Sequence, residues 1–61
     1  MNFENKITEM TNMLKDVIAD GTKFDKGNKA AGTRIRKTMQ ELKNMAQEVR
    51  VAVSEQKNNA Q

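Results

Sequence analysis

The sequence contains no cysteine, histidine, proline, tryptophan or tyrosine, and only two phenylalanines. Each absence closes a class of explanation. Without cysteine there is no disulfide to staple a small fold, and without histidine as well a structural zinc site loses its usual ligands. The same gaps remove the common general bases, nucleophiles and phenolic acids of catalysis. Carboxylates remain, but they fall among polar residues, and a two-helix chain offers no pocket to shift a catalytic pKa. No enzymatic activity, cofactor, metal or small-molecule substrate is therefore expected. Apolar runs reach only three residues, as at Val51–Val53, far short of a membrane span. The Met1-Asn2-Phe3-Glu4 start lacks the basic and apolar regions of a secretory signal. A soluble cytoplasmic protein with no membrane partner is the expectation.

What is present points to helices. No proline forces a break. Apolar residues recur at Phe3, Ile7, Met10, Leu14, Val17 and Phe24, a heptad stripe with Gly21 in its one weak slot. Met13 and Ile18 widen it. A second stripe runs through Ala31, Ile35, Met39, Leu42, Ala46, Val49 and Val53, flanked by Met45 and Ala52. Between the stripes two breaks are possible. Gly21-Thr22 could end the first helix, or it could run on to Lys26 and stop at Gly27, with Asn28 capping the next. The register continues across Gly21 to Phe24, which favours Gly27-Asn28. The sequence thus predicts an all-α antiparallel hairpin: helix 1 over about 2–26, a turn at 27–28 and helix 2 over about 29–57. Residues 1–57 form one domain, and 58–61 a fraying tail. Ala31 and Gly32 permit close helix approach against Phe24.

A chain of 61 residues buries only about 60% of its unfolded surface, and small folds without staples commonly oligomerise. Two helices alone leave half of each stripe wet. A homodimeric four-helix bundle or coiled coil is the expected way to cover it. Surface pairing adds little, since Lys37 with Glu41 is the one opposite-charge i,i+4 pair that reads as useful. Glu4, Glu9, Glu48 and Glu55 are expected only to solvate the open end of the hairpin.

The net charge of +3 is modest but unevenly placed. Residues 21–40 hold Lys23, Lys26, Lys29, Arg34, Arg36 and Lys37 against Asp25 alone, while the remaining residues are net acidic. Such a block attracts polyanions. Gly27-Asn28-Lys29-Ala30-Ala31-Gly32-Thr33 has the two glycines of a phosphate loop, but lacks the lysine before Ser/Thr and a preceding strand. A helix start surrounded by Lys26, Lys29, Arg34 and Arg36 can nevertheless receive a phosphate. No aromatic residue interleaves the bases, so stacking on single strands is disfavoured and duplex phosphates fit better.

The stretch from Lys26 to Lys37, with its Lys-Gly-Asn-Lys-Ala-Ala run and the pair Arg34 and Arg36, resembles the core of the chlamydial-type, linker-histone-like bacterial nucleoid proteins. Leu42 to Arg50 is similar to that family's second helix. The likeness covers roughly residues 10 to 57. It implies a non-enzymatic, histone-like, nucleoid-associated DNA-binding protein that compacts or bridges the nucleoid. With no recognition-helix face to read bases, binding to double-stranded DNA is expected to be without sequence preference. The matching bases are Lys26, Lys29, Arg34, Arg36 and Lys37, with Lys23 nearby. Long members carry a Lys-rich tail that this sequence lacks, so the resemblance is to a short form. A helical protein–protein interaction module without nucleic acid is the competing reading. It explains the heptads equally well but leaves the basic block without a role.

Overall fold

The computed structural model describes residues 1–59. They form two α-helices packed as an antiparallel hairpin, α1 (Phe3–Asp25) and α2 (Lys29–Asn59), with no strand among the described residues. The rod measures 52 × 16 × 12 Å. Asn58 and Asn59, placed in the fraying tail by the sequence, continue α2; Ala60 and Gln61 lie outside the described residues.

Each helix end has a chemical cause. Asn2 caps α1, its side-chain oxygen accepting from the Asn5 N–H at 2.9 Å. The helix then passes straight through Gly21. It closes where the Gly27 N–H donates to the Phe24 carbonyl at 2.9 Å and the Asn28 N–H to the Lys23 carbonyl at 3.0 Å. This pair of bonds is a Schellman closure, which requires a left-handed residue, and Gly27 supplies it at φ +100°. Asn28 immediately starts α2, its Oδ1 accepting from the Ala31 N–H at 3.2 Å. One residue thus ends one helix and begins the next, which folds α2 back along α1. Gly27→Ala puts a Cβ into this conformation at a cost of about 1 kcal/mol or more. The expected lowering of the melting temperature, followed by circular dichroism, is roughly 4–8 °C.

The helices share one narrow seam. On α1 it follows Phe3, Lys6, Met10, Met13, Val17 and Asp20, none of them fully buried. On α2 it follows Ala31, Ile35, Thr38, Leu42, Met45, Val49 and Ala52, where Ala31 and Leu42 are the buried core. The expected stripes are therefore split. Ile7, Leu14 and Phe24 of α1, and Met39 and Val53 of α2, are exposed, as is Ile18 at 67%. Seam positions beside them are taken by Lys6, Asp20, Thr38 and Ala52. Two helices touch along a single line, and a stripe over 100° wide cannot be covered by one neighbour.

Among the described residues two ion pairs cross the seam. Lys6 meets Glu48 at 3.6 Å, and the Arg34 Nε donates to Asp20 Oδ1 at 2.9 Å. Glu48 thus bridges the helices rather than merely solvating the open end. The expected Lys37–Glu41 pair is not formed. Lys preceding Glu is the weaker orientation on a helix, and an exposed pair contributes only about 0.3–0.5 kcal/mol. At the turn end, Phe24 lies over Gly32, as the small residues there implied. A Cβ on Gly32 would sit 2.5 Å from the ring's Cε1. The ring closes the seam with one side while about half of it meets solvent.

Candidate nucleic-acid interface

The turn gathers part of the basic block at one end of the rod. Lys23 lies in the last turn of α1, Lys26 is its C-cap residue, and Lys29 is the first residue of α2. All three are exposed. Helix polarity makes this end unusual. In α1, Glu4 in the first turn and Lys23 in the last complement the helix dipole. In α2, the first turn has no acidic residue and opens on Lys29. A cation at a helix N-terminus opposes the dipole, so the chain places positive charge here against its own local stability.

The other three bases diverge. At about 100° per residue, Arg34 and Arg36 stand roughly 160° apart around α2. Arg34 points to the flank shared with α1, where Asp20 holds its guanidinium. The Arg34 side chain stays 50% exposed, while that of Asp20 is 15% exposed. Arg36 is on the opposite flank, where an open groove is lined by Phe24, Lys29, Gly32, Thr33, Ile35 and Arg36. Lys37 is exposed on the back of α2. Lys23, Lys26 and Lys29 thus form a cap on the tip, with Arg36 and Lys37 extending it along two different lines. Arg34 serves the fold first, so reversing its charge would oppose Asp20 and disturb the hairpin together with any ligand contact.

The basic side chains also follow a period that segment totals do not show. Lys29, Arg36, Lys43, Arg50 and Lys57 recur every seventh residue of α2, and all five are exposed. Periodicity applied to charge rather than to apolar residues would have found them in the sequence.

Compared with known families, the chain matches the model of the histone H1-like protein Hc1 over residues 4–59. The chain belongs to this histone H1-like family. The match spans both helices and the turn, so the Lys-Gly-Asn closure and the α2 bases lie inside the family's own domain rather than in an appendage. At the coarse level a histone-like family implies a DNA-binding, nucleoid-associated protein. No curated protein and no solved structure matches the chain. No described helix is long and apolar enough to cross a membrane.

Proposed function

We propose that this histone H1-like chain binds duplex DNA without sequence preference, contacts its phosphates through the basic tip, and condenses or bridges nucleoid DNA in the cytoplasm. The observation that carries the reading is the tip itself. Lys23, Lys26 and Lys29 crowd one end of a 52 Å rod, and Lys29 opens a helix whose first turn has no compensating acid. Arg36 and Lys37 extend the contact surface, and Arg34 joins it through the part of its side chain left exposed beside Asp20. Phosphate contacts position a protein without reading bases. Long aliphatic cations with few amide or aromatic neighbours suit that task. Fluorescence anisotropy with two unrelated duplexes of equal length tests the reading. Affinities within about threefold of each other are expected. A preference of a hundredfold or more, comparable with the 10³–10⁷ ratios of specific binders, would contradict it.

The active form in this reading is a homodimer. Ile7, Leu14 and Ile18 on α1 and Met39 and Val53 on α2 are exposed. By helical geometry they share one face of the hairpin, on the side away from the Arg34–Asp20 pair. Among the described residues only Ala31 and Leu42 are buried within one chain, a small core for a stable fold. A second hairpin laid on this face completes a four-helix bundle and gives the assembly two basic tips, as bridging requires. Leu14→Glu with Met39→Glu is expected to shift sedimentation equilibrium at low micromolar concentration from dimer to monomer. A wild-type chain that sediments as a folded monomer there would remove the dimer.

A further inference from the structure

From the charge pattern on α2 we infer a second DNA-binding surface, a row of cations that starts from Lys29 on the tip and runs the length of the helix away from it. It comprises Lys29, Arg36, Lys43, Arg50 and Lys57, each seven residues from the next. Only Lys29 and Arg36 belong to the basic block. The inference rests on the duplex-binding reading and extends it to the other three.

Three observations support the row. The first is its alignment. Seven residues make nearly two helical turns, so the five bases drift by only about 20° per step and stand about 10.5 Å apart along the axis. From Lys29 to Lys57 the row is about 42 Å long. The second is its isolation from negative charge. The α2 residues three or four places from any of these bases are Gly32, Thr33, Met39, Gln40, Ala46, Gln47, Val53 and Ser54 among the described residues, with no acid. None of the five forms an ion pair among the described residues. Arg50 has one weak partner, Gln47, at 3.4 Å.

The third observation is where the acids of α2 went. Glu41, Glu48 and Glu55 also recur every seventh residue, in register with Arg34. The structure turns that register toward α1, because Arg34 holds Asp20 and Glu48 holds Lys6. Five residues separate the two registers, about 140° around the helix. Fixing one against α1 therefore turns the other toward solvent. The ion pairs across the seam mark the face of α2 that meets α1, and the cation row lies away from that face.

Duplex DNA is the ligand whose dimensions suit the row. It carries one charge per about 1.7 Å of axis, and one helical turn is about 34–36 Å, slightly less than the row. A straight row laid beside a duplex meets each strand about once per turn, so two or three bases reach phosphates together. The adjoining Gly32, Met39, Ala46 and Val53 register has no aromatic residue for stacking bases or for anchoring in a lipid interface. A flat, sequence-blind contact with the backbone fits these residues best.

The test compares duplex binding of the wild type with Lys43→Gln/Arg50→Gln/Lys57→Gln, by anisotropy across a salt series. At about 0.9 per phosphate, loss of two contacts lowers the log–log salt slope by about 1.8 and the low-salt affinity by about tenfold or more. Adding Glu9→Gln, Glu41→Gln and Glu55→Gln restores the net charge to +3 without restoring the row. Binding is expected to stay weak in this sixfold variant, and recovery to the wild-type level would show that total charge and not the row matters. Slope and affinity unchanged in the triple variant would overturn the row while leaving tip binding intact. Loss of RNA binding with duplex binding retained would overturn the choice of ligand. A wild type that binds no duplex at low salt would remove the row together with the reading beneath it. Circular dichroism of both variants should match the wild type, since none of the substituted residues lies in the seam or an ion pair.

Discussion

Lys23→Glu with Lys26→Glu and Lys29→Glu reduces duplex affinity by two orders of magnitude or more at low salt. These three bases share the tip, and each reversal replaces an attraction to phosphate with a repulsion. Proteins making about 6–10 phosphate contacts lose roughly 10³–10⁵ in affinity over a fourfold rise in salt. That is a salt sensitivity of about half a log unit per contact, and reversing a charge adds repulsion to the loss of its contact. The variant isolates binding from folding because none of the three side chains takes part in a hydrogen bond or ion pair of the hairpin. Lys29→Glu should even favour the fold, since it places an acid at the start of α2, where the dipole welcomes one by about 0.3–1 kcal/mol. Lys23→Glu and Lys26→Glu put acids at the C-terminal end of α1 and cost about as much each, so the expected outcome is much weaker binding by a chain that still folds and melts within about 10 °C of the wild type. Arg34 is kept unchanged, because a glutamate there would face Asp20 across the seam. Anisotropy and a circular-dichroism melt on the same samples check both halves of the prediction.

Leu42→Ala removes much of the chain's stability. Leu42, 8% exposed, is the one large side chain buried among the described residues, and the other buried residue, Ala31, contributes little volume. Truncating a buried leucine costs about 2–5 kcal/mol. A chain of this length holds only about 3–9 kcal/mol in total. One substitution therefore removes much of the margin, and the melting temperature should fall by roughly 10 °C or more. Ile18→Ala is the counterpart. Ile18 is 67% exposed within the hairpin, so the folded monomer loses little, and any loss that depends on protein concentration belongs to the dimer. Similar melting shifts for Leu42→Ala and Ile18→Ala at high dilution would contradict the placement of the core.

Much of this architecture is legible in the residues. Heptads without proline announce two long helices. Gly27 followed by Asn28 is a helix stop joined to a helix start, so the hairpin follows from local chemistry alone. The Lys-Gly-Asn-Lys-Ala-Ala run carries the family, and the closeness of Gly32 to Phe24 follows from a missing Cβ opposite an aromatic ring. What stayed hidden depends on the partner helix. The seam runs through Lys6 and Asp20, which a search for apolar positions passes over. It leaves Ile7, Leu14 and Met39 outside because only the antiparallel register decides which edge of a wide stripe is covered. Arg34 looked like one base among six. Its tie to Asp20 spans fourteen residues of sequence and exists only once the turn has set that register. The cation row was hidden for a different reason, since counting charge by segment averages over the faces of a helix.

Whether this hairpin holds duplex DNA by its phosphates is tested most directly by titrating salt against binding of the wild-type chain to a labelled random-sequence duplex. A linear fall of log affinity with log salt is predicted, with a slope of about −4.5 to −5.5, equivalent to roughly five or six phosphates. A slope near zero, or no binding at low salt, would contradict phosphate binding and leave the hairpin as an assembly module whose bases only solvate its surface.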